Sequence, residues 1–227
     1  MEYSVIKRSA TDEFASNNAF ERAHLGGEIS SLGYGYVSVP AMKEFSLEGD
    51  KTTARIGKTL ESFAFPPSRV VFSSVSLNPF INQLIAHPTY VVEIEKDYLE
   101  PCFDALRKDL ANRVLLNPTA EERTRYAEPG LVCIYPLLSK SPVSKDGSAR
   151  VEKLLADLVV SSRYRSLYSG MDVEQALRII VNEYAVNYRT LFAYAARKRK
   201  TKEIYAALET VAEGQIKELL HAIEKEL

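Results

Sequence analysis

The stretch from Ala149 to Lys200, ARVEKLLADLVVSSRYRSLYSGMDVEQALRIIVNEYAVNYRTLFAYAARKRK, constrains this chain more than any other. Val151, Leu154, Leu155, Leu158 and Val159 recur at three and four residues, so a helix here has one continuous apolar face that must be packed. Asp157 borders that face. A Ser-Gly-Met-Asp turn follows, and Asp172 with Gln175 three residues on predicts a capping box opening a second helix. Asn187 is placed to cap a third helix, which ends in the basic run Arg197, Lys198, Arg199, Lys200. The pattern predicts three packed helices closing on a positive tip.

Upstream, Ser16 or Asn17 is a cap for a short helix over Asn18 to Leu25, ended by Gly26 and Gly27. Glu28 to Leu32 and Tyr36 to Val39 then flank a Gly-Tyr-Gly turn that supplies positive φ, the pattern of a β-hairpin. Polar SLEGDKTT is a loop, and Thr53 to Phe63 places Ile56, Leu60 and Phe63 on one helical side. Strands are predicted at Val70–Phe72, Tyr90–Ile94, Arg113–Leu116 and Leu131–Tyr135. Helices are predicted at Leu77–Ala86, Tyr98–Leu110 and Thr119–Tyr126, the last with a Thr119/Glu122 capping box. Thr201 to Leu227 carries an apolar side interrupted at Gly214.

Three phrases, VEKLLADL, LYSGMDVEQAL and YAVNYRTLFAYAARKRKTKEI, resemble the C-terminal half of a prokaryotic family related to the AbiE-type (type IV) antitoxins. In that group a segment like ERTLVDL opens the helical part and one like LLRYARRRGK closes it. Glu152 to Leu158 and Leu191 to Lys200 occupy those places, and the resemblance runs from about Glu28 to Leu208. It implies a transcriptional-regulator-like protein whose N-terminal winged-helix element binds operator DNA and whose C-terminal domain acts against a nucleotidyltransferase-like toxin. The hairpin LGGEISSLGYGYVSV falls in register with the wing of such proteins but departs from them in charge. Glu28, Ser30, Ser31 and Tyr34 stand where phosphate-neutralising Lys or Arg is expected, and across the first 65 residues seven basic side chains are outnumbered by acidic ones. The chain before Asn18 is also too short for the first helices of a full winged helix. The element therefore reads as reduced or degenerate.

The fold class that follows is α+β: a reduced winged-helix-like element and linker over 1–58, then a small α/β sheet and C-terminal helical module over 59–227. Arg22 and Tyr34 are the candidates for nucleic-acid contact, and Arg189, Arg197, Lys198, Arg199 and Lys200 for DNA or another anionic partner. Basic side chains at a helix C-terminus also complement the helix dipole, which needs no ligand. An alternative reading is enzymatic. Glu93 and Glu95 alternate along a strand, and Ser73 and Ser74 form a turn upstream, a layout similar to that with which nucleotidyltransferases hold a divalent metal and a triphosphate. Such a site favours glycine at the turn and aspartates as ligands, whereas this chain has Ser-Ser and glutamates, so a solvated strand edge accounts for the same residues. A third reading is an interaction module whose last helix docks a partner.

A net charge of −1 provides no global attraction to nucleic acid, so any such contact must be local. Cys102 and Cys133 lie in apolar stretches without a nearby Cys or His, and read as buried free thiols. His24, His87 and His221 are isolated, with no metal-ligand spacing, and no nucleophile elbow, phosphate loop or dinucleotide fingerprint is present. No cofactor is expected. No apolar run reaches the 18–20 residues of a membrane span, and MEYSVIKRSATDEF lacks the pattern of a secretory signal, which points to the cytoplasm.

Overall fold

Ser4–Lys7 forms a strand, β1, that the sequence pattern does not announce. In the computed structural model, which describes residues 3–11, 13–14, 16–110 and 113–227, the chain divides into two compact units. One is Met1–Phe45 with Glu174–Leu227, and the other is Ser46–Val173. The fold is mixed α+β, as the patterning predicts. The division differs from a break at residue 58: the last helices belong with the N-terminal strands.

In the first unit, β1 is followed by α1 (Asn17–Leu25), whose N-terminus is capped by Ser16 Oγ accepting from the Ala19 N–H. The hairpin follows as β2 (Ser30–Gly33) and β3 (Tyr36–Val39). β3 lies between its neighbours, antiparallel to both, in the order β1-β3-β2, with Lys7 opposite Tyr36. Phe14 and Ala23 pack with Ile29 and Val37 beneath the sheet, against Ile6, Phe20 and Val39. The C-terminal half contributes α8 (Tyr188–Arg197), α9 (Thr201–Val211) and α10 (Gly214–Glu224). Gln215 Oε1 on α10 accepts the Val5 N–H of β1, and the Tyr3 hydroxyl donates to the Asn182 carbonyl at 2.9 Å. The first of these bonds satisfies a backbone donor of the edge strand β1, and the second ties the residue before it to Asn182.

In the second unit, four strands run in the order β4-β5-β7-β6. They are β4 (Arg69–Ser73), β5 (Tyr90–Ile94), β6 (Val114–Leu116) and β7 (Val132–Pro136). β4 is antiparallel to β5, while β5 and β6 both run parallel to β7. Tyr90, Val92 and Ile94 face α2 (Lys51–Glu61) and α3 (Leu99–Asp109) through Ile56, Leu60, Cys102 and Leu106. The alternate strand residues face α5 (Val151–Val160) and α6 (Ser162–Arg165), where the Phe72 and Tyr164 rings lie 5.0 Å apart. Helices on both faces explain why the strands read as unbroken apolar runs. The short α4 (Ala120–Arg125) carries its full Thr119/Glu122 capping box.

Two predicted elements are corrected. Leu77–Ala86 is not an α-helix: Ser74–Phe80 forms a 3₁₀ segment containing Pro79, and the rest is an irregular loop. Asn78 accounts for this locally, because its amide accepts from the Ile85 N–H and donates to the Ile85 carbonyl, closing a loop in place of helical bonds. Second, Asp172 does not open its helix. α7 (Gly170–Glu183) starts two residues earlier, Ser169 Oγ takes the Asp172 N–H, and the Asp172 carboxylate is occupied by the Ser169 hydroxyl and the N–H groups of Asn82 and Gln83. Asp172 thus pins the loop that replaces the expected helix. Among the described residues no helix is long and apolar enough to cross a membrane.

Candidate nucleic-acid interface

The hairpin turn of the first unit runs through three consecutive positive φ values, +83° at Gly33, +50° at Tyr34 and +77° at Gly35. Glycine adopts these freely, but Tyr34 is held in the left-handed region by its neighbours. Gly33 is fixed by a close approach: a Cβ there would stand 2.7 Å from the Arg189 backbone nitrogen and 2.9 Å from Asn187 Oδ1. The same Asn187 oxygen accepts from the Thr190 N–H and caps α8, as its position predicts. The turn is therefore seated on the first residues of α8. The Arg189 guanidinium consequently lies 5.5 Å from the centre of the Tyr34 ring. Partial burial pushes the Tyr34 phenol up, and the charge of Arg189 opposes that shift.

Two further cations stand at the same end of the sheet. Lys7, opposite Tyr36, places Nζ 5.7 Å from the centre of that ring. Arg8 donates its backbone N–H to the Gly35 carbonyl at 2.8 Å, while its guanidinium bonds to the Phe14 carbonyl and Asn17 Oδ1 and covers Phe20 at 4.5 Å. Neither Lys7 nor Arg189 has a carboxylate partner among the described residues. Neither Lys7, which ends β1, nor Arg8, which opens the 3₁₀ turn after it, is among the sequence candidates, because the strand that positions them is not announced by the pattern. The available signal was the β-branched pair Val5-Ile6 running into two consecutive cations.

The structure brings Tyr34 and Arg189 together and leaves the other candidates apart from them. Arg22 is on an exposed face of α1, its Nε–H directed at the Asn18 carbonyl at 3.4 Å. Arg197 to Lys200 sit at the far end of α8. Lys198 Nζ covers Tyr194 at 5.1 Å, Lys200 pairs with Glu203 at 2.6 Å, and Arg199 is exposed at φ +57°.

The alternative residues of the second unit have other partners. Glu93 is 5% exposed, and its carboxylate is bound by the ammonium of Lys153, by Arg163 Nη1 at 3.3 Å and by the Tyr164 hydroxyl at 3.4 Å. Lys153 is fully buried on α5 and also binds Asp157 one turn on. Glu95 falls beyond the end of β5, exposed, where it accepts the Ser68 N–H at 3.1 Å. The expectation that the two glutamates share a face thus fails at the strand terminus. Ser74 is buried, its hydroxyl accepting the Thr89 N–H at 2.9 Å. Among the described residues no group of three His, Cys, Asp or Glu could hold a metal ion.

Residues 22–213 match a family model described as a family of unknown function, DUF6577. The chain belongs to the DUF6577 family. No curated protein matches it. The DUF6577 match takes in Arg22, the hairpin, the whole second unit and the basic end of α8, while Lys7 and Arg8 precede it.

Proposed function

We propose that this DUF6577 protein is a DNA-binding regulator of the antitoxin type, with its first unit acting as a reduced winged helix. In this reading α1 presents Arg22 to the bases or backbone, the hairpin is the wing, and Lys7, Arg8 and Arg189 neutralise phosphates around Tyr34. The observation that carries it is the strand-helix-hairpin order with β1 paired to β3, ending in Lys7 and Arg189, which stand over aromatic rings without a carboxylate partner among the described residues. That end of the sheet supplies locally the positive charge that the whole chain lacks. The resemblance of VEKLLADL and YAARKRK to the AbiE-type antitoxins supports the same class. On that resemblance the second unit engages a nucleotidyltransferase-like toxin.

The test is binding of the purified protein to a labelled duplex from upstream of its own gene, measured across a salt series. Binding that weakens steeply with salt is expected, with Lys7→Ala and Arg189→Ala each lowering the slope of log K against log salt by about 0.9. Absence of binding at 50 mM salt would remove the regulator reading.

A further inference from the structure

We propose that the nucleic-acid surface does not stop at the hairpin but continues along the exposed line of α8 to its C-terminal turn, so that Arg197 and Arg199 contact the sugar–phosphate backbone of the same duplex. The proposal rests on the regulator reading above and deepens it. Residues 184–202 hold six basic side chains and no acidic one, in a chain whose net charge is −1. Cations in the last turn of a helix complement its dipole, which would account for Arg197 alone. The dipole does not account for Arg189, which stands in the first turn of α8, where a positive charge is disfavoured.

Arg189, Ala193, Ala196 and Arg197 are all exposed, and their spacing of four, three and one places them along one side of the helix. Eight residues at 1.5 Å separate the two arginines by about 12 Å along the helix axis. A duplex presents a phosphate on each strand about every 3.4 Å of its axis, so that distance spans three to four of them. The turn after Arg197 adds a second charge at an unusual position. The Arg199 N–H bonds to the Ala196 carbonyl at 2.9 Å and the Lys200 N–H to the Ala195 carbonyl at 3.0 Å, which closes α8 with Arg199 in the left-handed region. Glycine is favoured there, and this chain instead holds an exposed arginine with no ion-pair partner among the described residues. The chain between the hairpin contact and the end of α8 thus carries no acidic residue of its own, and the acids nearest its two ends come from neighbouring helices, Glu226 acting on Tyr34 and Glu203 pairing with Lys200.

The experiment repeats the salt series with an Arg197→Gln, Arg199→Gly double variant. Glycine at 199 suits the backbone, so the variant removes two charges without straining the turn, and an unchanged thermal midpoint verifies this. The slope is expected to fall by about 1.8, so that affinity lost between 50 and 200 mM salt is roughly tenfold smaller than for the parent, equally for unrelated duplex sequences. A variant whose affinity and slope equal the parent's would overturn the continued surface and leave the hairpin contact standing. A parent protein that binds no duplex would overturn both, while Lys7→Ala read in parallel tells whether the hairpin contributes independently.

Discussion

Replacing Lys153 with methionine tests the buried charge cluster of the second unit directly. Lys153 is fully buried between the carboxylates of Glu93 and Asp157, with its ammonium 5.1 Å from the centre of the Tyr164 ring. Methionine keeps the stem packed and removes the charge. Both buried carboxylates then lose the ammonium they share, while Glu93 retains Arg163 at 3.3 Å. The gross attraction of that pair is about 5 kcal/mol at an effective dielectric of 20, before desolvation and before the screening due to the partial exposure of Arg163. Breaking a buried pair from one side costs about 3–5 kcal/mol, a large share of the 5–15 kcal/mol that holds a typical domain folded. The readout is hydrogen exchange of the β5 and β7 amides, which reports opening of this unit by itself. At 1.4 kcal/mol per decade, exchange should accelerate by roughly a hundredfold to several thousandfold. A triple replacement, Glu93→Leu, Lys153→Met and Asp157→Leu, should recover most of that loss, because an apolar cluster of similar volume avoids stranded charge. Acceleration below about fivefold in Lys153→Met, or a triple variant no better than the single, would refute the claim that these groups are held as a mutually compensating set.

Three other outcomes follow from particular contacts. Gly33→Ala should destabilise the first unit by about 1–3 kcal/mol, because it adds a Cβ 2.7 Å from the Arg189 nitrogen at a φ of +83°; an unchanged melting profile would contradict the seating of the hairpin on α8. The Asp172 carboxyl is held below its ordinary range by the Ser169 hydroxyl and by the Gln83 and Asn82 N–H groups. A carboxyl lowered in the folded state stabilises above its unfolded value of about 3.9 and loses that contribution as pH falls through the folded value. Asp172→Ala should therefore lower the melting temperature at pH 6 and flatten its fall below pH 4. Burial pushes the Cys102 thiol up to about 12 and the Cys133 thiol up to about 11, so neither should react with iodoacetamide at pH 8 until denaturant is added. Rapid labelling of the folded protein would place them elsewhere than in the core.

Elements whose signals are local were legible from the sequence. Ser16 before α1, Thr119 with Glu122 and Asn187 before α8 each satisfy backbone groups within three residues, and the Gly-Tyr-Gly turn supplies the positive φ values its residues predict. What depended on distant partners was not legible. β1 is four residues long and acquires its identity from Tyr36–Val39 and from Gln215, more than 200 residues away. Leu77, Phe80, Ile81, Leu84 and Ile85 keep a helical period, but Pro79 and the Asn78–Ile85 bonds impose a loop, which leaves Leu84 73% exposed.

Glu93 shows the same limit in the candidate chemistry. A carboxylate on a strand has one meaning at an open edge and another beneath a helix, and only the pairing of β5 between β4 and β7 decides which. The clue was present in VEKLLADL, where Lys153 and Asp157 stand four apart in a helix that is buried on nearly every side. A lysine in such a helix has to find a carboxylate, and Asp157 alone leaves its charge only partly enclosed. A second acid from the sheet is the natural completion, and Glu93 is the acidic residue that the β5 register turns toward α5. Charge complementarity within a buried helix can therefore indicate which strand carboxylate is structural. In this chain it assigns Glu93 to holding α5 on the sheet and leaves the cations at the hairpin tip and the exposed arginines along α8 as the residues to test for a partner.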